Sequence, residues 1–234
     1  MKKFFLYLTL LLLLLFTSSV FSQRFLGAIS AGINLSQVDG DEVYGFKKIG
    51  FNGGPSVIVP FGKDGKWSVT MEILFSMNGS YEKTYVPDTV VPDTNQPASY
   101  YGYKLNLNYI QVPLLVHFTD KKIIAAGAGF AYGQLVGVSE WEDGVKTTTS
   151  LQGPYTLADF QILADVRLRI WKRLWANLRY SYSLVPIRTR DFTNETGHQV
   201  WERKQHNNVI TFRLTYIFND PYVRPRDARS KKAK

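Results

Sequence analysis

Cysteine is missing from the whole 234-residue chain. That excludes disulfides, thiolate metal ligands and a lipid-carrying cysteine. Histidine is scarce: His117, His198 and His206 lie far apart and without metal-ligand spacing, so neither a metal nor a cofactor is expected. Beyond the first residues no apolar run approaches the ~20 residues of a membrane helix. A basic groove is lacking too. The formal charge is +9, but the final segment "NDPYVRPRDARSKKAK" contributes +4 and Lys2 and Lys3 contribute +2, so +3 remains for the rest. The high isoelectric point reports a tail, and no nucleic-acid partner is expected.

The start of the chain sets the compartment. Lys2 and Lys3 precede the apolar run Phe4 to Phe16, and "TSSVFS" follows. Such a run is short for a membrane span and suits a signal peptide over 1–22, cleaved after Ser22. The exported chain then divides into one body, 23–218, and a basic tail, 219–234. The body, about 200 residues, fits one domain.

Across that body, short segments alternate apolar and polar residues. In "WSVTMEILFSMNGS", Trp67, Val69, Met71, Ile73, Phe75 and Met77 oppose Ser68, Thr70, Glu72, Ser76 and Asn78. In "NVITFRLTYIF", Ile210, Phe212, Leu214, Tyr216 and Phe218 oppose Thr211, Arg213 and Thr215. Period two means a strand with one face of each kind, and eight segments fit.

Their connections run long, short, long, short. "PFGKDGK", "TDKK" and "WKRL" are tight, whereas Ser36 to Lys48, Gly79 to Tyr100, Ser139 to Leu157 and Arg188 to Asn207 are long. Phe61, Trp67, Phe118, Trp171 and Phe218 flank the short turns; Tyr103, Tyr132, Phe160 and Tyr182 flank the long loops. A soluble sandwich explains the alternation but not loop asymmetry combined with aromatic girdles. The pattern predicts an all-β, eight-stranded antiparallel transmembrane β-barrel in the outer membrane of a Gram-negative bacterium, with long extracellular loops and short periplasmic turns.

One strand departs from the rule. In "NYIQVPLLVHF" the apolar face shifts phase and Pro113 removes a ladder donor, which predicts a bulge across Tyr109, Ile110, Gln111 and Pro113.

Parity turns the charges inward. Glu72, Asp165, Arg167, Arg179 and Arg213 fall at similar height in the periplasmic half, which predicts a paired ionic cluster inside the lumen. Small residues on the fifth strand (Ala125, Gly127, Gly129, Ala131, Gly133) are expected to leave room for the neighbouring arginines. A barrel of eight strands is about wide enough to be filled by its own side chains, so the cluster reads as a structural plug rather than an ion path. No serine or acid is placed with a histidine to suggest a triad. "GAGFAYG" lacks the following helix of a phosphate loop, and His117 reads as an interface residue near a periplasmic turn.

Two readings of the long loops stand side by side: exposed aromatic and charged residues that suit protein contacts, or solvated loops that only shield the barrel mouth. The tail residues Arg224, Arg226, Arg229, Lys231, Lys232 and Lys234 are candidates for contact with anionic lipid, peptidoglycan or a periplasmic partner.

The segments "ISAGINLSQVDGD", "MEILFSMNGS", "NYIQVPLLVHF", "RYSYSLVPI" and "NNVITFRLTYIF" resemble the PorT-like outer-membrane β-barrel proteins from about Arg24 to Phe218. The resemblance implies an eight-stranded barrel embedded in outer-membrane lipid. For the founding member it implies a part in exporting and maturing surface proteins by type IX secretion, with envelope or secretion proteins as partners. It supplies no catalytic residues. "SMNGS" departs from the more usual Gln-Lys-Gly-Ser form, and the basic tail is not a general family feature. The expected function is a non-enzymatic accessory in secretion, maturation or assembly of cell-surface proteins. The alternatives are a structural or adhesive barrel that binds ligands through its extracellular loops and, ranked last, an embedded lipid-modifying enzyme.

Overall fold

A computed structural model describes residues 25–62, 65–83, 102–142, 145–193 and 200–220. The signal segment and the six basic tail residues from Arg224 to Lys234 lie outside them.

The strands are β1 (Leu26–Asp39), β2 (Lys48–Phe61), β3 (Trp67–Glu72), β4 (Leu74–Lys83), β5 (Gly102–Asp120) and β6 (Ile124–Glu142). They continue with β7 (Val145–Thr148), β8 (Ala158–Trp171), β9 (Leu174–Ser183), β10 (Arg188–Thr193) and β11 (Val200–Ile217). β3 and β4 share one register against β2 and β5 and form a single stave interrupted at Ile73. Ile73 N–H donates to the Pro55 carbonyl at 3.0 Å, and Pro55 has no amide N–H to return the bond.

Eight staves therefore pair antiparallel around a ring: β1, β2, β3/β4, β5, β6, β8, β9 and β11. Pairing of β1 with β11, from Ala28 opposite Ile217 to Asp39 opposite His206, closes it. Closure satisfies the ladder on both sides of every stave, which a sheet surrounded by hydrocarbon needs. Asn219 clasps the seam: its Oδ1 accepts from Gly27 N–H at 3.0 Å and its amide donates to the Phe25 carbonyl at 2.7 Å. The turn between β5 and β6 is tight, with Lys121 and Lys122 at φ of 46° and 58° and Ile123 N–H donating to the Asp120 carbonyl. Two positive φ values match the right-handed twist of a hairpin.

Outward positions carry the apolar residues. Phe130, Ile162, Leu168, Leu178, Phe212 and Leu214 are all exposed, as a lipid-facing belt must be. At the periplasmic rim Trp67 packs edge-on to Phe118 with centroids 5.1 Å apart, and Tyr216 meets Phe218 at 5.7 Å. Toward the loops Tyr132 meets Phe160 at 5.4 Å. Tyr103 leaves the expected girdle and turns inward, where its hydroxyl donates to Glu140.

β5 also corrects the phase reading. Its burial alternates without a break, and Leu105, Leu107, Tyr109, Gln111 and Pro113 all face the lumen. The apolar residues at Leu105, Leu107 and Tyr109 fill the upper interior, where Lys104, Asn106 and Asn108 on the outside have risen above the lipid. The register irregularity between β5 and β6 falls at Asn108/Tyr109, and the extra residue is Val136 on β6. Thus Ile110, Gln111 and Pro113 sit in regular register rather than in a bulge on their own strand.

All four expected long loops are partly strand. β1 reaches Asp39, β4 reaches Lys83, β6 reaches Glu142, and β10 pairs with β11 inside the stretch Arg188 to Asn207. Above the membrane the outer face no longer needs apolar residues, so the alternation fades while the ladder continues.

Candidate functional site

The lumen is layered. At the periplasmic end Ala28, Ile58, Ala125, Trp175 and Ile217 form an apolar floor. Above it Asp165 and Arg179 are cross-strand partners on β8 and β9, and Arg213 lies opposite Asn177 on the β11–β9 ladder. Inward parity aims all of them, and Glu72 from the far wall, at one point.

The contacts are dense. Arg179 gives Nη1 to Glu72 Oε2 at 2.8 Å and Nη2 to Asp165 Oδ2 at 2.7 Å. Arg167 Nη2 reaches Glu72 Oε1 at 3.2 Å, and its Nε reaches Asp165 Oδ1 at 3.2 Å. Arg213 Nη2 donates to Glu72 Oε1 at 3.0 Å and its Nε to Asn177 Oδ1 at 2.6 Å. Glu72 and Asp165 are each only 2% exposed. Charges this deep persist only when paired, and the planar guanidinium fork fits two carboxylates at once.

The structure thus brings together Glu72, Asp165, Arg167, Arg179 and Arg213, and adds members that alternation alone did not single out. His117 is buried, not interfacial: its Nε2 lies 3.2 Å from Asp165 Oδ1, and its Nδ1 lies 3.3 Å from Thr70 Oγ1. Gly127 makes this possible. It sits between His117 and Asp165 across the two ladders, and a Cβ there would stand 2.5 Å from His117 Cδ2. The room left by that small residue is taken by a histidine from one neighbour rather than an arginine from the other. His117 shares parity with Leu115 and Pro113, a signal the apolar phase on β5 obscured.

Higher up, Asn34 donates to Ser76 Oγ and Asn78 Oδ1, both at 2.9 Å, and accepts from Thr211 at 2.8 Å. A cavity of about 10 Å³ is bordered by Asn78, Gln111, Pro113, Gln161 and Arg179, about the room one water needs. The roof is apolar: Val38, Leu105, Leu107, Tyr109, Leu135 and Val138 pack with Tyr155 and Ile187, which enter from the extracellular connections. Arg188 pins it, with Nη1 2.8 Å from both Glu140 Oε1 and Tyr155 Oη. Burial pushes the Tyr155 hydroxyl up to about 12, so it stays neutral at the mouth. A second rung, Arg190 Nη2 to Glu142 Oε1 at 2.8 Å, ties β10 to β6 farther out.

Floor, ionic layer, polar layer and roof follow one another along the described interior of the barrel. Among the described residues no three His, Asp or Glu side chains converge as a metal site.

The model of the outer membrane protein beta-barrel domain family matches residues 21–188. The chain belongs to that family. It is an outer-membrane β-barrel of a Gram-negative bacterium. Among solved structures it is similar to Ail, the attachment invasion locus protein of Yersinia pestis, at 12% identity and TM-score 0.45, over 83% of this chain and 99% of that one. The same protein in complex with the heparin analogue sucrose octasulfate gives 12% and 0.44 over the same shares. Neisserial surface protein A gives 12% and 0.44 over 83% of this chain and 97% of that one. No curated protein matches.

Proposed function

We propose that the protein is a sealed, non-catalytic barrel that presents its extracellular hairpins to a macromolecular partner at the cell surface. The observation that carries this reading is the excess length of three strands. β5 and β6 run 19 residues each and β11 runs 18, whereas about 9–11 cross a bilayer. The surplus forms ordered platforms, β6 with β7 and β10 with β11, held to each other by the Arg188–Glu140 and Arg190–Glu142 rungs. A rigid platform loses little entropy on binding.

The test replaces residues 189–204 by a two-residue turn in the full chain, with heat-modifiable gel migration as the check on folding. Loss of cell attachment and of cross-linked surface partners supports the reading. Unchanged attachment and an unchanged set of cross-linked proteins rule it out.

A second reading, an accessory in secretion or maturation of surface proteins, rests on the PorT-like segments between Arg24 and Phe218. It predicts that cells lacking the protein retain surface proteins in the periplasm. Normal delivery in such cells removes it.

A further inference from the structure

Above the lipid belt, four strands present one row of side chains to the outside. Tyr81 on β4 lies opposite Lys104 on β5, Lys104 lies opposite Trp141 on β6, and Trp141 lies opposite Lys146 on β7. All four are exposed. Lys146 Nζ stands 5.6 Å from the Trp141 ring centroid, and Trp141 Nε1 is held by Ser139 Oγ at 3.0 Å. The row is therefore a braced alternation of two aromatics and two ammonium groups.

Among the described residues its charge is one-sided: of the acids near the row, Glu140 is engaged by Arg188, Glu142 by Arg190 and Glu82 by Lys47. Its height is defined as well. Lys104 shares outward parity with the lipid-facing Ile110, with the polar Asn106 and Asn108 between them. At ~3.3 Å per residue and a ~40° tilt, Lys104 stands about 15 Å above Ile110. That is the level of headgroup sugars, not acyl chains, and it lies on the long-loop side.

We propose that the Tyr81–Lys104–Trp141–Lys146 row binds the headgroup of an outer-leaflet glycolipid that carries phosphate on its sugars. The ammonium groups take the phosphates, and their flexible stems lean toward the membrane to reach them. Tyr81 and Trp141 pack their faces on the sugar rings. Trp141 and Lys146 lie on the β6–β7 platform, but the test of the loop-binding reading removes only residues 189–204 and leaves the row intact, so its failure and failure of that reading are separate results.

The test uses the full-length barrel in detergent micelles, with native mass spectrometry of added lipopolysaccharide that carries a phosphorylated inner core. Retention is expected to fall about tenfold or more in K104E/K146E. It should fall similarly for wild type when the lipopolysaccharide is enzymatically dephosphorylated. W141A, folded by heat-modifiable migration, is expected to lose part of the retention. Equal retention by wild type and K104E/K146E overturns the proposal. So does equal retention of the phosphorylated and dephosphorylated lipid.

Discussion

Arg179 grips Glu72 across the full width of the barrel, Nη1 to Oε2 at 2.8 Å and Nη2 to Oε1 at 3.1 Å, from β9 on one wall to β3 on the other. Between those walls the ring passes through β5, β6 and β8. One ion pair thereby acts as a strut. The pair is desolvated, so its partners cannot be removed one at a time without leaving a buried charge.

Glu72→Gln is therefore expected to strip three arginines of a shared carboxylate and destabilise the barrel by about 3–5 kcal/mol. Urea unfolding from lipid vesicles, followed by tryptophan fluorescence, reads this as a lower midpoint. A midpoint equal to wild type is incompatible with the strut.

Gly127→Ala places a Cβ 2.5 Å from His117 Cδ2 and 2.6 Å from the Val116 carbonyl. The histidine must leave Asp165, at a cost of about 1–3 kcal/mol for an overpacked interior. The check is the His117 ring resonance in labelled micelles, which should move in Gly127→Ala and stay put in Ala126→Ser on the outer face. An unmoved resonance denies the proposed contact.

The loop after β1 carries a pH dependence. Burial pushes the Asp41 carboxyl up to about 6 from an ordinary value near 3.8. The folded loop then favours the protonated acid. Its contribution is fully present below about pH 4 and is lost as pH rises through 6. Hydrogen exchange at Val43, whose amide donates to Asp41 Oδ1 at 2.9 Å, should quicken between pH 5 and 7 beyond the intrinsic base-catalysed rate. In Asp41→Asn the excess should vanish. An identical profile in both proteins contradicts the assignment.

A lumen blocked at floor and roof predicts no discrete conductance steps in planar bilayers at moderate voltage. Combined removal of the roof side chains in Tyr155→Gly/Ile187→Gly is expected to leave it closed as well, because the ionic layer seals it independently. Steps in the wild-type protein refute the layered plug.

Much of this was legible in the sequence because lipid on one side and packed side chains on the other impose a strict period of two. Glu72, Asp165 and Arg213 could be turned inward by counting alone. Tyr103 and Leu105 could not, since the rule that apolar residues face out holds only at hydrocarbon depth. His117 was hidden for a related reason: a lone polar residue beside Phe118 looks like an interface residue until its parity with Leu115 is followed. The rungs Arg188–Glu140 and Arg190–Glu142 join distant segments, and nothing local in either segment announces the other.

The clasp at Asn219 has a consequence for biogenesis. Its two bonds fall on Phe25 and Gly27, so the earliest strand waits with a bare flank until the last one is delivered. A nascent barrel stalled short of β11 has two sticky margins and no way to join them. Asn219 therefore fastens the last rung of a seam that exists only once β11 lies against β1.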